Sequence, residues 1–175
     1  MLEVLTSTDA RTGVMNRRSF DTATDAAIST ANRTGRPLAM LRLDVDNFKT
    51  IDDSRGHGMG DRVLRELGAA VQNVSRGHEI LARYGGDEFV YVLSDTTVGE
   101  AYRLGERMPE AAATLLPETW PIIVSNGILS RTGRTGTTCS DLLEQTDLAS
   151  YDAKMAGRNI SAIRSEGRFK MSKLA

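Results

Sequence analysis

Two short apolar runs, each with acid at one end, set the limits on what this chain can fold into. Leu38 to Val45 reads Leu-Ala-Met-Leu-Arg-Leu-Asp-Val, and Arg83 to Leu93 reads Arg-Tyr-Gly-Gly-Asp-Glu-Phe-Val-Tyr-Val-Leu. Both runs are strand-sized and follow turn residues, Gly35-Arg36-Pro37 and Gly85-Gly86, so both are expected to be buried strands. Gly-Gly offers the positive φ angles that a two-residue hairpin turn needs. Two readings of that turn stand side by side. It is a plain hairpin, or it aims adjacent carboxylates at a metal while the glycines let a ligand approach the backbone.

The other segments read mostly as helices. Asn16 to Arg33 is rich in Ala with no internal Gly or Pro, which predicts a helix. Asp46 to about Asp53 predicts a short one, closed by Gly56-His57-Gly58. From Asp61 to Val74, the positions Val63, Leu64, Leu67, Val71 and Val74 share one helical face. A helix near Val98 to Leu115, a strand near Pro121 to Leu129 and a helix from Asp141 to Ala156 follow. Thr138 and Asp141 are spaced as a capping box for the last of these, and Gly157 can end it in a left-handed conformation. Ile160 to Ile163 predicts a final strand. After the first helix the order is β-α-α-β-β-α-β-α-β, which implies an α+β fold, a mixed or antiparallel sheet with helices packed on it. Residues 1–165 form the expected single domain, and 166–175 a loosely held tail.

Composition narrows the function classes. A chain of 175 residues suits one domain with a real core. Its formal net charge of −1 argues against a dominant footprint for nucleic acid. Cys139 is the single cysteine, so no internal disulfide forms, and the chain fits a reducing cytoplasm. His57 and His78 are the only histidines, which argues against zinc. No apolar run is long enough to span a membrane, and Met1 begins no basic-then-apolar signal pattern. Met1 lies so close to the first motif that a longer parent protein is expected.

Neither a G-x-x-x-x-G-K-[ST] loop nor a G-x-G-x-x-G loop occurs, so a nucleotide would have to be held another way. Asp44 ends one expected strand and Asp87 begins another. Carboxylates from neighbouring strand ends are a good mount for Mg²⁺, which keeps waters and substrate phosphates in its remaining positions. Lys49, Lys154 and Arg158 are candidate phosphate ligands. Plainer roles stand beside each of these. Asp44 would serve as a helix N-cap and Asp87 as a solvated turn residue. Lys154 and Arg158 would compensate a helix dipole at its C-terminus. Asp61 suits a helix N-terminus, or equally the hydrogen-bonding edge of a base such as guanine.

Five segments, in order, resemble the motifs of one family. Gly85-Gly86-Asp87-Glu88-Phe89, preceded by Arg83-Tyr84, is similar to the signature of the GGDEF family, the diguanylate cyclases. Asp9-Ala10-Arg11-Thr12-Gly13-Val14-Met15-Asn16-Arg17-Arg18 resembles D-x-L-T-G-L-x-N-R-R, and Asp44-Val45-Asp46-Asn47-Phe48-Lys49 resembles D-I-D-x-F-K. Gly56-His57-Gly58-Met59-Gly60-Asp61 resembles G-H-x-x-G-D, and Lys154-Met155-Ala156-Gly157-Arg158-Asn159 resembles K-x-x-G-R-N. The resemblance runs from about Asp9 to Ile163. It implies a palm-like, mainly antiparallel sheet of five strands surrounded by helices, as in nucleotidyl cyclase and polymerase cores. It also implies the reaction of two GTP to cyclic di-GMP and two pyrophosphates, across a homodimer in which each 3′-hydroxyl attacks the partner's α-phosphate.

Residue by residue, the resemblance implies that Asp44, Asp87 and the Val45 carbonyl hold Mg²⁺, with Mn²⁺ as a substitute. Glu88 would assist the second metal or deprotonate the 3′-hydroxyl. Lys49, Lys154 and Arg158 would take the β- and γ-phosphates, with Phe48 in the same substrate-binding segment. Asp61 would read guanine, and Gly85 and Gly86 would let the nucleotide pass close to the backbone. Tyr84 and Phe89 are expected to pack. An upstream sensory domain usually accompanies the family.

Five departures from the pattern stand out. Asp52 replaces the guanine-contacting Asn, losing an amide donor and adding negative charge near Asp61. Arg76-Gly77-His78-Glu79 has Glu where the inhibitory R-x-x-D motif has Asp. Arg11, Asn126 and Ser150 each put a polar group where an apolar one is expected to be buried, at a cost of about 1–3 kcal/mol unless partnered.

Overall fold

The computed structural model describes residues 7–75, 77, 79–115, 122–132, 136–165 and 168–172. A single mixed sheet of seven strands runs β1-β3-β4-β2-β5-β6-β7. The strands are β1 (Met15–Asn16), β2 (Pro37–Val45), β3 (Ile80–Arg83), β4 (Glu88–Ser94), β5 (Val124–Thr132), β6 (Ser161–Ser165) and β7 (Arg168–Ser172). The helices are α1 (Arg17–Thr34), α2 (Phe48–Arg55), α3 (His57–Val74), α4 (Val98–Ala113) and α5 (Cys139–Met155).

Strand β2 is the centre. It pairs antiparallel with β4 on one side and β5 on the other, and both its faces are covered. That is why its sequence is a near-continuous apolar run and not an alternation. On one face Leu41, Leu43, Phe89 and Tyr91 pack with Leu64, Leu67 and Val71 of α3 and Met108 of α4. On the other, Met40, Val90 and Val92 pack with Phe20 and Ile28 of α1 and Leu142 of α5. Buried Tyr91 still satisfies its hydroxyl, which donates to the Val71 carbonyl at 2.5 Å. Phe89 is wholly buried, and Tyr84 meets Phe20 edge-on at 5.7 Å, so both act as packing residues.

The two strands beyond the expected five lie at the sheet edges. β1 is a two-residue parallel partner of β3, too short to leave a periodic pattern. β7 lies in the segment expected to be a loose tail and pairs antiparallel with β6, from Ser165↔Arg168 to Ser161↔Ser172. The first residues of the strand expected near Pro121 lie outside the described residues. The expected helix ends hold within about two residues except at α3, which begins at His57 and not at Asp61: only Gly56 separates it from α2, and Gly58 is already helical. Thr138 and Asp141 form the capping box of α5, and Gly157 follows that helix at φ 118°.

Two of the three polar departures change meaning. Arg11 is on the surface, its side chain 59% exposed. Asn126 is fully buried, and its Nδ2 donates to the Gly105 carbonyl at 2.8 Å and to Ser161 Oγ at 3.2 Å. Ser150 is buried, and its Oγ makes no hydrogen bond among the described residues.

Candidate functional site

The acids at the strand ends do converge. In the β2–β4 ladder Asp44 lies opposite Glu88, and the Val45 amide donates to the Asp87 carbonyl at 3.3 Å. The adjacency follows from register alone: β2 must stop where its polar residues begin, and the turn into β4 delivers Asp87 beside that stop.

The turn itself, Tyr84 to Asp87, joins β3 to β4 and is longer than the two-residue loop expected from Gly-Gly. Neither glycine adopts a left-handed φ. A Cβ at Gly85 would stand 2.9 Å from Glu88 Oε2, the movable end of a side chain, while Gly86 opens to solvent. Arg83 braces the turn. Its Nη2 and Nε donate to the Gly86 carbonyl at 2.6 and 3.1 Å, and its Nη1 pairs with Asp9 Oδ1 at 3.3 Å.

Around the acids stand cations. Lys154 Nζ lies 2.8 Å from Asp44 Oδ1, and Arg42 Nη2 lies 2.7 Å from Glu88 Oε1. Arg158 Nε lies 3.6 Å from Asp46 Oδ1, and Ser125 Oγ donates to Asp46 Oδ2 at 2.7 Å. Three successive residues carry positive φ, Gly157 at 118°, Arg158 at 62° and Asn159 at 53°. For Arg158 and Asn159 that is strained backbone, of the sort that clusters at functional sites. It turns the chain back so that Arg158 meets the strand-end acids.

Burial is the main force on these carboxyls. It pushes Asp44 up from its ordinary range, against the pull of Lys154. Asp87 is raised by burial and then by the charge of Asp44, and Asp46 is raised by burial against the hydrogen bond from Ser125. Each of these three carboxyls therefore takes up a proton more readily than it would in water.

This donor set fits Mg²⁺. Two part-buried carboxylates that repel each other, beside the strand-end backbone at Val45, are hard oxygen donors of the kind this ion takes. Among the described residues no three His, Cys, Asp or Glu side chains form a ready cage.

A second cluster lies across α2 and α3. Asp52 Oδ2 accepts from His57 Nδ1 at 2.7 Å, and Gly60 packs directly on Asp52 and Phe48, which leaves no room for a side chain. Asp61 Oδ1 accepts from Arg11 Nη1 at 2.9 Å. Lys49 is exposed at the start of α2, whose N-terminus no side chain caps.

Arg76 lies outside the described residues. Glu79 lines a cavity of about 220 Å³ with Arg103 and Arg107 of α4. A cavity of about 230 Å³ lies on the α2 face bearing Thr50, Ile51 and Ser54, and it contains none of the carboxylates discussed above.

Four site residues were not legible as such. Arg42 and Asp46 carried a signal, a lone arginine and a second acid inside the Asp44 motif. Arg103 and Arg107 carried none, because only the tertiary fold brings α4 to Glu79.

The family model described as "Diguanylate cyclase, GGDEF domain" matches residues 6–160. The chain belongs to the GGDEF family. Relatives agree over most of the domain. The response regulator PleD of Caulobacter vibrioides is 36% identical over 162 residues, 89% of this chain and 35% of PleD. The probable diguanylate cyclase DgcC of Escherichia coli is 35% identical over 161 residues, 90% of this chain and 43% of DgcC. The chain thus spans less than half the length of these relatives.

Among solved structures, the GGDEF domain of DgcB from Caulobacter crescentus, in complex with c-di-GMP, superposes with a TM-score of 0.83 at 28% identity. That match covers 94% of this chain and 96% of DgcB's. The active GGEEF domain of a Vibrio cholerae diguanylate cyclase gives a TM-score of 0.77 at 35% identity, covering 82% of this chain and 93% of that one. The fold is thus the palm-like GGDEF fold. No helix among the described residues is long and apolar enough to cross a membrane.

Proposed function

We propose that this domain is an active diguanylate cyclase, condensing two GTP into cyclic di-GMP and two pyrophosphates. The observation that carries the reading is the meeting of Asp44, Val45 and Asp87 at one end of the sheet, with Lys154 held on Asp44 at 2.8 Å. Each domain binds one GTP. Lys49, Lys154 and Arg158 hold its β- and γ-phosphates, and Asp61 and Asp52 face its base. Asp44, Asp87 and the Val45 carbonyl would hold Mg²⁺, or Mn²⁺ in its place, with Glu88 beside them. When bound, the ion neutralises charge developing on the reacting phosphate and on the departing pyrophosphate.

The chain's own contribution is orientation. The Arg83-braced turn fixes Asp87 against β2, and Gly85 keeps the approach to the backbone clear. Two domains meet face to face, so that each 3′-hydroxyl oxygen bonds to the partner's α-phosphorus while the bond to pyrophosphate breaks. The hydroxyl proton leaves to a nearby base, for which Glu88 is the candidate. A homodimer, a cytoplasmic setting and an upstream sensory domain belong to the same reading.

Asp52 favours a second reading, a module that binds GTP or cyclic di-GMP and signals without turnover. Incubating the concentrated domain with GTP and Mg²⁺, followed by nucleotide chromatography, separates the two. The cyclase yields cyclic di-GMP, and Asp87→Ala yields none. Absence of product from the parent at high concentration would select the binding module.

A further inference from the structure

Two departures from the family pattern flank the Gly60–Asp61 step: Arg11 pairs with Asp61, and Asp52, itself bound by His57, lies against Gly60. Arg11 stands where the pattern has Leu, and Asp52 where it has Asn. Arg11 Nη1 donates to Asp61 Oδ1 at 2.9 Å, across 50 residues of chain. Asp61 follows Gly60, and Gly60 packs on Asp52. The pair is an exposed ion pair, with side chains 59% and 38% accessible, and such pairs contribute little to stability. Stability therefore does not explain it.

We infer that Arg11 is a base-specificity residue, which supplies the hydrogen-bond donor lost at Asp52 and makes the base subsite select guanine over adenine. This rests on the nucleotide reading given above. Guanine's Watson–Crick edge runs donor, donor, acceptor, from the 2-amino group through N1–H to O6. A carboxylate with an arginine beside it runs acceptor, acceptor, donor. Asp61 retains lone pairs after accepting from Arg11, and the guanidinium has further N–H groups to give. Adenine opposes the same pair, since its N1 acceptor faces the carboxylate and its 6-amino donor faces the guanidinium. Arginine to O6 and N7 is also the commonest specific contact to guanine in nucleic acids.

Arg11 is held well enough to do this. Asp9 Oδ1 accepts from the backbone amides of Arg11 at 3.2 Å and Thr12 at 2.9 Å, and from Thr12 Oγ1 at 2.8 Å. The Gly13 amide donates to the Asp9 carbonyl at 2.9 Å. Asp9 is in turn bound by Arg83, which braces the Gly85–Gly86 turn. The loop bearing Arg11 is thus tied to the turn bearing Asp87.

The test is calorimetric binding of the α,β-methylene analogues of GTP and ATP, whose bridging carbon blocks pyrophosphate release. The parent is expected to prefer the guanine analogue. Arg11→Leu is expected to lower that preference about tenfold, with an unchanged melting temperature. Arg11→Lys keeps the charge without the fork and is expected to fall between. Asp52→Asn in the Arg11→Leu background is expected to restore preference. An unchanged guanine-to-adenine ratio in Arg11→Leu, with the parent binding normally, would overturn the inference alone. A parent that binds neither analogue would overturn the nucleotide reading with it.

Discussion

Lys154 Nζ and Asp44 Oδ1 stand 2.8 Å apart, one at the end of α5 and the other at the end of β2. Two groups assigned separate partners, a phosphate and a metal, satisfy each other. Both must exchange partners when substrate arrives. Lys154→Met should therefore weaken GTP binding by roughly tenfold or more, the worth of a charge-assisted hydrogen bond. The same change removes a competing cation from Asp44, so binding of Mn²⁺ alone should be preserved or tightened. Calorimetry with each ligand separately checks this. Parallel loss of both would mean that Lys154 props up the fold.

Asp87 gives the pH prediction. Burial, then the charge of Asp44, raises its carboxyl above the ordinary 3.8. The folded, metal-free domain therefore binds that proton more readily than the unfolded chain does. Stability falls as pH rises from 3.8 through the raised value, and the penalty is complete at neutral pH. Asp87→Asn removes it. Its melting temperature in chelator at pH 7 should rise by about 2 °C, a small gain because the side chain is half-buried and screened. Turnover should vanish. A melting point below the parent's would show that the carboxylate stabilises the turn.

Glu79 and Glu100 share a cavity with Arg103 and Arg107, whose guanidinium groups offer donors to an anionic ligand. If product feedback operates through Arg76 and Glu79, Arg76→Ala should relieve inhibition by cyclic di-GMP several-fold. Arg107→Ala should do the same while leaving the initial rate intact. Initial rates with added product measure both, and unchanged inhibition in Arg76→Ala would remove the site from consideration.

What was readable in the sequence divides along physical lines. Asp44 and Asp87 were legible because apolar runs mark strand ends and strand ends are where polar chemistry can sit. The capping box at Thr138 was legible because its contacts are three residues apart. Gly85 and Gly86 are expected to carry positive φ for a two-residue turn, whereas neither does, because four residues join β3 to β4. The partner of Arg11 was invisible, since Asp61 is distant in the chain and nearby only in the fold. So was β1, whose two residues are too few for a period to show, whereas β7, Arg-Phe-Lys-Met-Ser, does alternate and is hidden by lying in a charged segment that reads as a tail.

Asn126 shows how far a local reading can mislead. A buried amide in an apolar position reads as a defect. Pro109 inside α4 explains it. Proline has no N–H, so the Gly105 carbonyl one turn back lacks its helical donor. Asn126 Nδ2 supplies one from β5 at 2.8 Å. Two unfavourable residues, seventeen apart in sequence, thus compensate at the Gly105 carbonyl, although Asn126 Oδ1 accepts no hydrogen bond among the described residues. Asn126→Leu should lose about 1–3 kcal/mol by orphaning that carbonyl. In a Pro109→Ala background the helical N–H returns, and the same substitution should cost about 1 kcal/mol less. Chemical denaturation of the four variants measures the coupling. Strict additivity would show that Asn126 owes its place to something other than Pro109.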